Sequence, residues 1–281
     1  MKIAKVGICG AGTMGAGIAQ VFAQAGFETI LFDVSQPQLD TAIAAIQKNW
    51  DKAIEKSKLT ELEKKQATQR LHTTNAIEEV QADLVIEAIV EKLDVKRDLF
   101  TKLSAINSTE TIFASNTSSL SITKIATGMS HPERFAGIHF FNPAPIMKLV
   151  EIICGAETNT ATTTALTTLS KSIGKNPVVC KDAPGFIVNR VARHYYVESL
   201  KILEEQAASM ENIDLLLESA GFKMGAFKLM DVIGNDINFA VTSSLFEAFH
   251  GDAKFRPSRI QAQKVDAKQL GKKTGKGFYQ Y

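Results

Sequence analysis

What this sequence has little of narrows its class first. Cysteine is scarce: Cys9, Cys154 and Cys180 are the three in 281 residues, widely spaced and each set in an apolar stretch. An odd, scattered set of this kind builds no disulfide frame and reads as buried thiols of a reducing compartment, so a cytoplasmic location is expected. No His/Cys/Asp cluster has ligand spacing, and no metal is expected. Charge of one sign is scarce too, since 32 basic and 30 acidic side chains leave a formal net charge of +2. Neither a global basic field nor an aromatic-interleaved basic patch is present, which argues against a nucleic-acid partner. No stretch reaches the roughly 18 consecutive apolar residues of a membrane span. The N-terminus imitates a leader, with Lys2 and Lys5 before an apolar run and Ala23-Gln24-Ala25 resembling a cleavage site. Gly7, Gly10, Gly12, Gly15 and Gly17 interrupt that run and weaken it as a leader core.

What is there is an ordinary globular composition, 45% hydrophobic and 22% charged. Lys5–Cys9 reads as a strand, 13–25 as a helix and 28–33 as a second strand. Residues 37–56 form a long amphipathic helix and 61–70 its returning partner. The apolar run 84–89 reads as a fully buried strand, 95–106 as a helix and 111–115 as a strand before the small polar segment 116–119. Alternating strand and helix predicts an α/β fold with a doubly wound, Rossmann-like, mostly parallel sheet. Residues 135–140 and 148–154 read as strands joined by seven residues, too few for a parallel crossover, so this pair is expected antiparallel. A helix over 160–173 and a strand over 177–180 follow. Beyond Lys181-Asp182-Ala183-Pro184-Gly185 the strand signal fades, and 186–205, 213–219 and 237–249 carry helical periodicity. The expected division is 1–184 and an all-helical 185–281.

Gly10-Ala11-Gly12-Thr13-Met14-Gly15 closes the first strand and opens the first helix. In such a fingerprint the first glycine makes the tight turn, the second admits a pyrophosphate and the third lets helix and strand pack closely. Asp33 ends the second strand at the distance expected of a ribose-binding acid. Its carboxylate accepts from a free 2′-hydroxyl and repels a 2′-phosphate, and Val34, Ser35 and Gln36 offer no arginine for one. NAD is therefore favoured over NADP.

Three further segments carry a resemblance: Ser115-Asn116-Thr117-Ser118-Ser119-Leu120, His139-Phe140-Phe141-Asn142-Pro143, and Asp182-Ala183-Pro184-Gly185-Phe186-Ile187-Val188-Asn189-Arg190. With the ending Gly275-Lys276-Gly277-Phe278-Tyr279 they resemble, in order and nearly end to end, the 3-hydroxyacyl-CoA dehydrogenase family, especially its bacterial 3-hydroxybutyryl-CoA branch. The resemblance implies reversible hydride transfer between NAD and the C3 oxygen-bearing carbon of a short acyl-CoA, and a homodimer formed through the helical domain. A hydroxyacid or sugar-acid dehydrogenase of the same broad superfamily is the rival enzyme reading, and a binding protein without turnover the rival outside enzymes. One departure stands out: Met224-Gly225-Ala226-Phe227-Lys228 lacks the proline and the acidic residue that the family commonly has there.

Oxidising a secondary alcohol needs a base, and histidine titrates in the right range. Of five histidines, His139 ends a predicted strand at the edge where such sheets bind ligands. If the following turn centres on Pro145, position 139 falls opposite Glu151, an acid inside the apolar run Leu149-Val150-Glu151-Ile152-Ile153. Spacing alone leaves Glu151 free to face solvent; the resemblance pairs the two as catalytic base and partner. Ser118 lies between a strand and a helix and can bond a substrate oxygen or, like Ser119 or Ser121, cap the helix. The resemblance assigns Ser118 to substrate and cofactor. Asn189 can donate to the substrate from the second domain or serve as a buried helix contact. Lys48, Lys52 and Lys56 line one helix face at four-residue spacing, a solvated row or a seat for coenzyme A phosphates; the resemblance points to Asn49, Lys52 and Lys56. It also places Glu91, Lys96, Asn142 and Lys273 at the cofactor. Each has a plainer reading: Glu91 as a helix-start charge, Lys96 and Lys273 as surface ions, and Asn142 as the start of a turn.

Overall fold

A computed structural model of the chain describes residues 3–281. Lys2 lies outside the described residues; the imitation cleavage site falls at the end of the first helix, where Ala23 is buried.

The chain divides into two compact units, one ending at Ala183 and the other beginning at Pro184. The first contains β1 (Lys5–Cys9), α1 (Thr13–Gln24), β2 (Glu28–Phe32), α2 (Gln36–Glu55), α3 (Glu61–Arg70), β3 (Leu71–Thr74) and β4 (Leu84–Glu87). It continues with α4 (Leu93–Ile106), β5 (Ile112–Ser115), α5 (Ile122–Ala126), β6 (Phe135–Phe140), β7 (Leu149–Cys154), α6 (Thr160–Ser172) and β8 (Asn176–Lys181). The strands form one sheet in the order β3-β2-β1-β4-β5-β6-β7-β8. Neighbours are parallel except β6 and β7, which run antiparallel as their short connection requires. Chain order reverses between β1 and β4, the switch point at which doubly wound sheets open a crevice beyond their carboxyl ends.

The sequence builds both faces by alternation. Ile8, Ile86, Ala114, Ala136, Ile138 and Ile152 pack on one face against α1, α2 and α6, with Trp50 fully buried among them. On the opposite face Phe100 of α4 meets Phe113 and Phe135 edge-on at 6.0 and 4.8 Å. Two expectations need correction. Leu71–Thr74 is an edge strand whose sequence, Leu-His-Thr-Thr, shows no apolar alternation because it is largely exposed. The run 84–89 is not wholly apolar: Glu87 sits in it, fully buried.

The second unit is helical: α7 (Val188–Glu204), α8 (Met210–Ser219), α9 (Ala226–Ile233), α10 (Asn235–Ala248) and α11 (Arg259–Asp266). Short α9 and α11 were not expected from periodicity. Tyr196, Leu200, Ile213, Phe227, Met230 and Phe278 form its core. The departure at 224–228 is accommodated locally. The N–H groups of Phe227 and Lys228 donate to Asp214 at 2.9 and 3.1 Å, and the Lys228 ammonium meets Glu218 at 2.9 Å. Among the described residues no helix is long and apolar enough to cross a membrane.

Candidate active site

The three fingerprint glycines differ in what forces them. Gly10 has φ +105°, and a Cβ there would lie 2.5 Å from the Ala88 carbonyl oxygen. A Cβ on Gly15 would lie 1.7 Å from the Gly10 carbonyl oxygen, so the first turn of α1 and the end of β1 touch only because it is glycine. Among the described residues, nothing beyond its chain neighbours lies within 4 Å of a Cβ built on Gly12. Its lack of a side chain serves no internal contact and leaves room for a group from outside. Gly12 is also the N-cap of α1, with no side-chain cap and no acid in the first turn, so the helix start at Thr13 and Met14 presents N–H groups suited to an anion.

Asp33, just past β2, is fixed by the Ala11 N–H at 2.8 Å and the Ser35 N–H at 3.0 Å, one to each oxygen. Each oxygen keeps a further lone pair for a ribose hydroxyl. Gly10, Gly12, Asp33, Val34, Val90 and Leu99 help line a groove of about 870 Å³. An open backbone at a helix start, an acid beside it and an apolar groove wall fit a dinucleotide.

At the other end of the crevice, His139 and Glu151 are direct partners in the β6–β7 register, as the turn arithmetic about Pro145 expects. The imidazole Nδ1 lies 2.8 Å from the Glu151 carboxylate, with the residues 6% and 1% exposed. An ionised carboxylate only accepts, so the imidazole Nδ1 carries the proton of this hydrogen bond. The outward-facing alternative for Glu151 is excluded by its burial.

Between these lies a charged cluster. Lys96, in the first turn of α4, is 1% exposed and therefore no surface ion. Its ammonium bridges Glu87 at 2.5 Å and Glu91 at 3.1 Å. Glu91 also accepts from the Thr117 hydroxyl at 2.5 Å, the Ser118 N–H at 3.1 Å and the Ser119 hydroxyl at 3.1 Å. Burial works against the Glu91 carboxylate, but Lys96 with the Thr117 hydroxyl and the Ser118 N–H outweighs it and holds its pKa below the usual range. For Glu87 burial wins and its pKa is raised despite Lys96. Ser121 caps α5, and Asp182 accepts from the Ser121 hydroxyl at 2.7 Å and the Thr123 N–H at 2.8 Å.

The remaining candidates are more dispersed. Asn142 is exposed just after β6. Asn49, Lys52 and Lys56 lie exposed on or at the end of α2, and the Asn49 amide donates to Gln20 at 3.0 Å. Asn189 is in the first turn of α7. Lys273 lies in the second unit, bound to both Asp236 oxygens at 2.6 and 2.8 Å. Sequence reasoning missed Glu87, although it shows the signal that singled out Glu151: an acid inside an apolar strand. It also gave no role to Asn116, whose side-chain oxygen accepts the Phe140 N–H at 2.8 Å and ties the serine loop to the strand of His139.

Residues 5–183 match the family model for the 3-hydroxyacyl-CoA dehydrogenase NAD binding domain, and 185–281 the model for the 3-hydroxyacyl-CoA dehydrogenase C-terminal domain. The chain is 46% identical to a 3-hydroxyadipyl-CoA dehydrogenase of Escherichia coli, over 100% of this chain but 60% of that relative's length. It is 40% identical to a 3-hydroxybutyryl-CoA dehydrogenase of Clostridioides difficile, over 99% of each. A crystal structure of (S)-3-hydroxybutyryl-CoA dehydrogenase from Ralstonia eutropha superposes with a TM-score of 0.96 at 40% identity, covering 100% of this chain and 99% of that one.

Proposed function

The chain belongs to the 3-hydroxyacyl-CoA dehydrogenase family, and from that premise we propose that it reversibly oxidises the C3 hydroxyl of a short 3-hydroxyacyl-CoA such as 3-hydroxybutyryl-CoA. The observation that carries the reading is the buried 2.8 Å contact between His139 and Glu151 at the sheet's carboxyl edge. NAD held in this groove would supply the hydride acceptor for the alcohol and, in its reduced form, the hydride donor for the reverse reaction. Gly10, Gly12, Thr13, Met14 and Gly15 hold its pyrophosphate, and Asp33 holds the ribose hydroxyls and disfavours NADP. Glu91, Lys96, Asn142 and Lys273 are assigned to the cofactor on the strength of the resemblance.

His139 Nε2 takes the hydroxyl proton, and Glu151 keeps the ring oriented and stabilises the imidazolium that forms. Ser118 and Asn189 position the substrate oxygen. Asn49, Lys52 and Lys56 receive the coenzyme A phosphates. The second unit exposes Leu215, Leu216, Phe222 and Val232, each at least 46% exposed, which supports a homodimer formed through it. A cytoplasmic setting completes the reading.

Loss of NADH absorbance with acetoacetyl-CoA tests it. No consumption at micromolar enzyme would sink the proposal in favour of a fold kept without turnover. Indifference to competing free coenzyme A would favour a hydroxyacid or sugar-acid substrate instead. A panel that includes 3-hydroxybutyryl- and 3-hydroxyadipyl-CoA fixes the acyl class.

A further inference from the structure

We propose that Glu87 is a positioning residue for the reaction, holding the serine loop 116–119 in its working shape through Lys96, Glu91 and Ser115. The inference rests on the functional reading above for what the loop does, and on geometry for how it is held.

Glu87 closes β4, and its side chain accepts from three donors, one in α4, one in β5 and one in the bend that follows β4. One oxygen accepts from the Lys96 ammonium at 2.5 Å and the Ile89 N–H at 2.7 Å, and the other from the Ser115 hydroxyl at 2.6 Å. Ser115 in turn accepts the Thr117 N–H at 3.2 Å. Lys96 passes the constraint to Glu91, which accepts from Thr117, Ser118 and Ser119. The loop bearing Ser118 is thus gripped twice, by Glu87 through Ser115 and directly by Glu91, which Lys96 ties to Glu87. Asn116 then fastens the same loop to Phe140, next to His139.

An ionised carboxylate is an acceptor only, which is what three converging donors require. An amide of the same shape cannot replace it. A glutamine at this position keeps one accepting oxygen but presents N–H protons where the Ser115 hydroxyl or the ammonium now donates. With the nitrogen toward Ser115, the hydroxyl must accept from the amide and turn its own proton away, loosening its hold on Thr117; with the nitrogen toward Lys96, the ammonium is left to Glu91. Burying an ionised carboxylate is costly even when it is paired. A charge kept at such a site contributes little to global stability, and what it secures is geometry.

The test is Glu87→Gln in the full chain, read first without any ligand. Hydrogen exchange of the 116–119 amides should rise about tenfold, while β1 and β6 amides stay as protected as in the parent. Thermal midpoint should stay within a few degrees of the parent or above it. In turnover of acetoacetyl-CoA with NADH, kcat should fall about tenfold or more, with a much smaller change in KM for the acyl-CoA. Lys96→Met should also expose the loop and in addition lower the midpoint, because it leaves Glu87 buried and unpaired. Adding Glu87→Gln to Lys96→Met should recover part of the midpoint but none of the loop protection. Unchanged loop exchange in Glu87→Gln overturns the proposal, as does a kcat loss that merely tracks a fall in midpoint. A parent enzyme that fails to oxidise NADH sinks the functional reading instead, and the exchange experiment still judges the grip on the loop.

Discussion

Buried carboxylates occur in both units and are satisfied in different ways. In the first unit the buried Glu87 shares the ammonium of Lys96 with the more exposed Glu91 at the carboxyl edge of the sheet, and Glu91 takes hydroxyl and N–H donors from the loop 116–119. In the second, Asp231 is 1% exposed and accepts the Phe278 and Tyr279 N–H groups and the Asn235 amide, each at 2.9 Å, and the Tyr281 hydroxyl at 3.2 Å. None of those four donors carries a formal charge. Backbone dipoles fixed in a chain turn make a fastener: Asp231 pins the C-terminal segment to α9, and a Cβ on Gly277 would sit 1.9 Å from its carboxylate. The cluster around Lys96 fastens side chains and a loop where chemistry is proposed. On the proposal made above, the equally buried Glu87 and Asp231 have different consequences, rate in the first unit and stability in the second.

The comparison breaks if rate and stability fail to separate. The largest effect should come from His139→Ala, which should lower kcat about a thousandfold with NADH affinity nearly unchanged. Steady-state rates and an NADH fluorescence titration check it, and equal losses in both would refute the base. Asp231→Ala should cost about 3 kcal/mol or more of unfolding free energy, because buried N–H groups of the tail lose their acceptor. Urea unfolding measures that loss, and turnover per folded molecule should hardly change; a loss under about 1 kcal/mol would mean the tail docks without the carboxylate.

Smaller effects sharpen the picture of the sheet edge. Asp33→Ala should cut the preference for NAD over NADP about tenfold in kcat/KM, since the repulsion of a 2′-phosphate goes with the charge. An unchanged ratio places cofactor choice elsewhere. Lys56→Glu should raise KM for acyl-CoA a few-fold at low salt, and the effect should fade as ionic strength screens exposed charge. The smallest is a pH effect on stability. Glu91 has a lowered folded pKa, so its contribution is present above the ordinary carboxyl range and is lost as pH falls through the lowered value. Glu91→Gln should flatten that acid limb in unfolding curves taken at successive pH values. A parent-like limb would show that the Lys96 bridge adds no net stability.

Much of this arrangement was legible before any coordinates. The Gly10–Gly15 turn, Asp33 at the end of β2, and the antiparallel β6–β7 pair follow from local patterns. So does the opposition of His139 and Glu151, because one short turn fixes a register. Less legible was β3, exposed and without apolar alternation, and the short helices α9 and α11. Sequence left open a plain surface reading of Lys96 beside the cofactor role, because nothing nearby in sequence shows that its ammonium reaches Glu87 as well as Glu91. Glu87 itself was hidden by its neighbours, read as part of an apolar run.

By itself the sequence determined the periodicities, the glycine turn, the family and the register of the β6–β7 hairpin that pairs His139 with Glu151. These depend on neighbours within a turn or a strand, where backbone geometry leaves few choices. Only the tertiary structure decided that Lys96 joins Glu87 and Glu91, which hold Ser115 and Thr117, that Asn116 reaches β6, and that Asp231 receives the residues around Phe278. Those contacts depend on which strands become neighbours across long crossovers and on where flexible side chains find a partner once water is excluded, and no local pattern encodes either.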